Sequence, residues 1–203
     1  QSRSMEDAMR RAGLPYRLVG AVRFYDRREI KDLVAWLRLI ANPADDEAFR
    51  RALSAPKRGV GETTLELLAL EARSAGIPLL EQARRLEAID GVRPATRTAL
   101  TDLVATVDRF RALAADMGVD QLLLQLIAAI GYDEALRAEG PEGLERLDNV
   151  RELVGSAAEV IIDDGGEVGM RPLDHFLQRA TLVTGLDLLG PDSDALTMMT
   201  VHT

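Results

Sequence analysis

Apolar residues recur at helical spacing along most of this 203-residue chain. Between Arg28 and Ala41, the residues Ile30, Leu33, Val34 and Leu37 form one apolar stripe, which predicts a helix closed by Asn42-Pro43. Asp45 or Asp46 is placed to cap a following helix that reaches about Leu53. Glu62 to Ser74 repeats the period with Leu65, Leu68, Ala69 and Ala72, and Pro78 suits the first position of a helix running to about Leu86. Further along, Arg97–Ala115 aligns Leu100, Leu103, Val104, Val107 and Phe110. Val119–Ile130 is apolar on most sides, which predicts a central helix ended by Gly131. Ser4–Ala12, Tyr132–Ala138, Leu144–Ile162 and Pro172–Thr184 complete the helical set.

Two segments break this period. Tyr16, Leu18 and Gly20 alternate with Arg17 and Val19, and Ala195–Val201 is a short apolar run; each predicts a strand. Residues 163–169, DDGGEVG, and 190–194 read as polar loops. The expected fold is mainly α, with a short strand near each terminus. The last strand runs directly into Val201-His202-Thr203, so the chain is expected to be a fragment whose two ends belong to one neighbouring sheet.

Composition agrees with a helical core. Hydrophobic residues make up 47% of the chain but aromatics only 4%, so Leu, Ala, Val and Ile fill the interior. Cysteine is absent, which removes disulfides and thiolate metal sites and fits a cytoplasmic protein. No apolar run has the ~20 residues a bilayer-spanning helix requires, so no membrane partner is expected. Asp163, Asp164 and Glu167 are loosely spaced like metal ligands, but a solvated loop explains them better and no metal is expected.

Charge changes the picture more. The net charge of −8 opposes nucleic acid, yet residues 1–61 carry 13 Lys/Arg against 8 Asp/Glu. Within that basic part lies Ala55-Pro-Lys-Arg-Gly-Val-Gly61, followed by a helix start. Glycines at 59 and 61 tolerate positive φ in a tight turn and let backbone amides approach an anion. The next helix adds its positive end. Lys57 and Arg58 supply flanking charge, Val60 sits between the glycines, and Thr64 offers a hydroxyl. Such a turn grips a phosphate backbone without reading bases. An ordinary helix–helix turn with a solvated Lys-Arg pair is the competing reading.

Several ordered segments share one further likeness. Gln1-Ser2-Arg3, GLPYRLVGAVRFYDRREIKD (13–32), WLRLIANPADD (36–46), PKRGVG (56–61), GLERLDNVRELV (143–154) and LTMMTVHT (196–203) together resemble the UvrD/PcrA/Rep-type superfamily 1 DNA helicases. Asp148 stands where that family usually has Glu, and Trp36 where it usually has Tyr. The resemblance implies a helical accessory 2B subdomain at 25–190, inserted in an α/β RecA-like domain. Residues 1–24 and 191–203 would be pieces of that second RecA-like domain, and 46–74 a helix-hairpin-helix-like element.

The implied parent is an ATP-dependent 3′-to-5′ DNA helicase that regulates unwinding in repair or replication. The implied partners are double- and single-stranded DNA, the remaining helicase domains and repair proteins. ATP and Mg²⁺ would bind mostly outside this segment, because it has no G-x-x-x-x-G-K-[ST] loop, and no catalytic residue is expected within it. By resemblance, Lys31 and the Lys57–Gly61 turn with Thr64 touch duplex DNA. Gln1, Ser2 and Arg3 belong to a motif near the core-domain interface, and Thr200 and His202 to one that meets single-stranded DNA. Arg23, Arg27 and Arg28 would widen the phosphate track, unless they pair with Asp26, Glu29 or Asp32. A helical protein-interaction scaffold and a recombination helicase–nuclease subunit are the alternatives.

Overall fold

The computed structural model describes residues 16–19, 24–86, 92–163, 171–185 and 196–199. The expected helix at Ser4–Ala12 and the loop residues 164–169 and 190–194 lie outside them. After strand β1 (Tyr16–Val19) and a 3-10 turn (Phe24–Asp26), nine α-helices follow among the described residues. They are α1 (Arg28–Ala41), α2 (Asp46–Ser54), α3 (Glu62–Ala75), α4 (Leu79–Arg84), α5 (Pro94–Leu113), α6 (Val119–Ile130), α7 (Tyr132–Arg137), α8 (Pro141–Asp163) and α9 (Pro172–Gly185). Strand β2 (Leu196–Met199) pairs with β1 in parallel, with Tyr16 opposite Leu196 and Val19 opposite Met199. The fold is mainly α, and no helix among the described residues is long and apolar enough to cross a membrane.

The central helix is α1, which corrects the expectation for 119–130. Ile30, Leu33, Trp36, Leu37, Leu39 and Ile40 are fully buried, so α1 is covered on nearly every side. It packs against the 3-10 turn, α2, α5, α8 and α9. Helix α6 buries Leu122, Leu123 and Leu126 but leaves Leu124 49% exposed, which makes it a flank. Its hydrophobicity exceeds what one packed face requires, and composition alone cannot say which side is covered.

Local signals explain most boundaries. Asp45 caps α2, its Oδ1 accepting from the Ala48 amide at 2.9 Å. Gly76 and Gly131 close α3 and α6 in the left-handed conformation. Pro94 opens α5, three residues before the expected start, because its missing N–H costs nothing in the first turn. Pro78 precedes α4 as its cap rather than opening it. The Asp46 Oδ1 accepts from the Leu79 amide at 2.8 Å, tying the start of α2 to the start of α4.

A polar network crosses the core at the first turns of α1, where Glu29 and Asp32 are both buried. The Tyr132 hydroxyl donates to Asp32 at 2.8 Å, and Arg51 pairs with the other Asp32 oxygen at 2.7 Å. Asn149 donates to Glu29 at 2.7 Å and accepts from Arg27. Four helices, α1, α2, α7 and α8, are thereby held in register by directional contacts.

Two predictions follow from this packing. A Cβ at Gly143 of α8 would lie 1.8 Å from the Leu136 carbonyl oxygen of α7. Gly143→Ala is expected to destabilise the fold by roughly 2–3 kcal/mol, read from the urea midpoint; an unshifted midpoint would contradict this close approach.

Burial, then the Asp32 carboxylate, pushes the Tyr132 phenol far above its ordinary range. The folded state therefore holds that proton more tightly than the unfolded state. The resulting stability is complete below about pH 10, the unfolded phenol's value, and is lost as pH rises beyond it. Tyr132→Phe is expected to cost about 1 kcal/mol at neutral pH. It should also flatten the fall in stability above about pH 10 relative to wild type, measured by urea unfolding across pH.

Candidate nucleic-acid interface

Helix α2 ends at Ser54, and the chain turns through Ala55 to Gly61 into α3. Three features of α1 and the turn hold this connection. Trp36 of α1, fully buried, donates its indole N–H to the Ala55 carbonyl at 2.8 Å. Its ring supports the Arg58 guanidinium, 5.1 Å from the ring centroid. Val60 packs against the core.

Gly59 adopts φ +73, which side-chain-bearing residues rarely take, and Gly61 has φ −79 and ψ 160. Both glycines tolerate positive φ, but only Gly59 uses it. Gly61 is the N-terminal cap of α3, an extended conformation open to any residue. A Cβ built at either glycine meets nothing within 4 Å, so the turn's surface is open to solvent.

Amides are available at this end. The first cap bonds of α3 run from Thr64 and Leu65 to the Gly61 carbonyl, at 3.1 and 3.2 Å. The amides of Glu62 and Thr63 precede those bonds in the first turn, where helix N–H groups have no intrahelical acceptor. The 14-residue length of α3 gives its positive end full strength, although the exposed Glu62 carboxylate offsets part of it.

The two flanking cations differ. Lys57 is exposed and makes no ion pair among the described residues. Arg58 is half-buried; its Nε and Nη2 are sealed without hydrogen-bond partners, and desolvation lowers its pKa while Asp102 partly opposes that shift. Arg58 thus props the turn from beneath, whereas the sequence suggested two equivalent surface charges. Thr64 is half-buried on the first turn of α3.

Lys31 lies on α1 on the other side of Ser54, which lines both the cleft beside Lys57 and the groove beside Lys31. Its Nζ sits 2.7 Å from Asp26. The expected phosphate track is narrower than the local charge suggests. Arg27 stands over Phe24 and bonds Asn149, while Arg28 lies 4.0 Å from Asp32. Arg23, Gln1, Ser2, Arg3, Thr200 and His202 lie outside the described residues. Sequence reasoning missed Asn149 as the partner that occupies Arg27; its only signal was the resemblance of the 143–154 segment.

This geometry can be set beside known proteins. Residues 1–203 match the family model for the UvrD-like helicase C-terminal domain. The chain is 36% identical over 220 residues to the ATP-dependent DNA helicase UvrD1 of Mycobacterium tuberculosis. It is 33% identical over 203 residues to DNA helicase II of Escherichia coli, and 33% over 209 to the ATP-dependent DNA helicase PcrA of Bacillus subtilis. All of this chain is aligned in each case, and it spans 28% of the length of these curated relatives. It is therefore a helicase-family chain, and belongs to the UvrD-like helicases through their C-terminal domain.

The anchoring of the turn is testable. Trp36→Phe keeps a ring beneath Arg58 but leaves the Ala55 carbonyl without its donor. It is expected to cost roughly 1–3 kcal/mol and to speed hydrogen exchange at Gly59 and Gly61. Unchanged exchange would show that the indole N–H does not hold the turn.

Proposed function

We propose that this chain is the duplex-gripping portion of an ATP-dependent 3′-to-5′ DNA helicase of the UvrD/PcrA type. In this reading residues 25–190 are the 2B subdomain and 1–24 and 191–203 are flanking pieces of the second RecA-like domain. The parallel pairing of β1 with β2 supports the assignment, because it returns the chain to the place it left after a long helical excursion. The single observation that carries the grip is the open glycine turn on the N-terminal end of α3, with Lys57 unpaired beside it. A phosphate docked there meets backbone amides, a helix end and an ammonium group, none of which distinguishes one base from another. Lys31 adds a second contact once phosphate replaces Asp26 as its partner.

ATP and Mg²⁺ would be held by the other domains of the parent protein. The sequence carries no phosphate-binding lysine loop, and the described residues include no group of three or more carboxylates or histidines suited to a metal. The role of the helical body is to hold duplex while the core domains step along single-stranded DNA. A change in its orientation would switch between holding and unwinding, and a difference of a few kcal/mol between two orientations suffices. A cytoplasmic location and repair partners accompany this reading.

Gly61→Asp combined with Lys57→Ala tests it without risking the fold. Asp is a preferred helix cap, Gly61 already has a compatible φ, and the space beside it is open. The double variant should retain its thermal stability. It should bind a fluorescein-labelled duplex on the order of tenfold more weakly by anisotropy, equally for unrelated sequences. The slope of log affinity against log salt should fall by about 1. Unchanged duplex affinity would favour the helical protein-interaction scaffold instead.

A further inference from the structure

We propose that the groove between α1, α2 and α9 is a second contact for backbone phosphate, with Arg50 as its working cation. The proposal rests on the reading of the hairpin as a duplex grip and extends it to a residue outside that turn. Lys31 and Arg38 of α1, Arg50 and Arg51 of α2 and Thr181 of α9 line the groove.

Most of its cations are already neutralised. Lys31 is held by Asp26 at 2.7 Å, and Arg38 by Asp45 at 2.8 Å and Glu47 at 3.4 Å. Arg51 is held by the buried Asp32 at 2.7 Å and also donates to the Arg28 carbonyl at 3.2 Å. Thr181 spends its hydroxyl on the Leu177 carbonyl. Arg50 is exposed and makes no hydrogen bond or ion pair among the described residues. Its guanidinium is therefore free to fork onto two phosphate oxygens, which an ammonium cannot do.

Helix α2 links the two contacts. Arg50 is one helical turn, about 6 Å, from Ser54, where α2 ends and the hairpin begins. Ser54 itself lines both the groove and the hairpin cleft. Charges on one DNA strand recur about every 3.4 Å along the axis. One rigid helix thus places the guanidinium and the hairpin amides within reach of phosphates a few nucleotides apart. Glu47, exposed at the groove's rim, is the carboxylate that opposes an anion there.

Arg50→Ala in the complete protein, titrated against two labelled duplexes of unrelated sequence over a range of salt, tests the proposal. Affinity should fall about three- to tenfold on both duplexes, and the salt slope by about 0.9. Arg50→Lys should restore the slope but only part of the affinity. Arg73→Ala, at the far end of α3, should change neither. If Arg50→Ala leaves affinity and slope unchanged while Lys57→Ala/Gly61→Asp weakens binding, the groove proposal is overturned and the hairpin reading stands. If neither variant affects binding, both are overturned. Loss with Arg50→Ala alone removes the hairpin reading and overturns the groove as a second contact beside it.

Discussion

The bond from the Trp36 indole to the Ala55 carbonyl joins the deeply buried helix α1 to the open glycine turn. Without it, the peptide that ends α2 would have a carbonyl directed into the core with no donor, and the glycine turn would have no fixed base. The same ring carries Arg58, whose buried nitrogens lack other partners. A single side chain therefore satisfies a buried carbonyl and supports a desolvated cation. The turn above it can remain rich in glycine because its rigidity comes from beneath. That division of labour lets backbone amides stay exposed without the loop collapsing.

Helix α1 is organised by the same contrast. Its middle and end are apolar on nearly every side, while its first turns carry buried carboxylates at Glu29 and Asp32. Negative charge near a helix N-terminus is favoured, and each carboxylate is met by donors from other helices. Apolar burial supplies the bulk of the driving force but is indifferent to rotation. The hydrogen-bonded network specifies which way α2, α7 and α8 face. Since α2 leads into the hairpin, the orientation of the candidate DNA surface depends on Arg51 and Asp32 at some distance from it.

Much of this was legible in the sequence where the signal is local. The limits of Arg28–Ala41 and Val119–Ile130, the Asp45 cap and the glycine stops follow from spacing and capping chemistry. Centrality was not legible, because a run of leucines does not reveal which of its faces meets a neighbour. Charge partners were harder still. Arg50 and Arg51 are adjacent in sequence and point about 100° apart around a helix, so one pairs with Asp32 while the other faces water. Asp26 was open to the neighbouring arginines but pairs with Lys31, and Arg27 is taken by Asn149, a residue on another helix. Such pairings depend on packing angles that no short window encodes.

The register that sets Tyr16 beside Leu196 also constrains the order of assembly. Bringing two such distant positions together in a disordered chain forfeits on the order of 5 kcal/mol of configurational freedom, for the reward of two four-residue strands. Once the intervening helices have condensed, most of that entropy is already lost and the remaining gap is short. The strand pair is then a closing clasp: it forms late, and it opens first when the chain is drawn apart from its two ends.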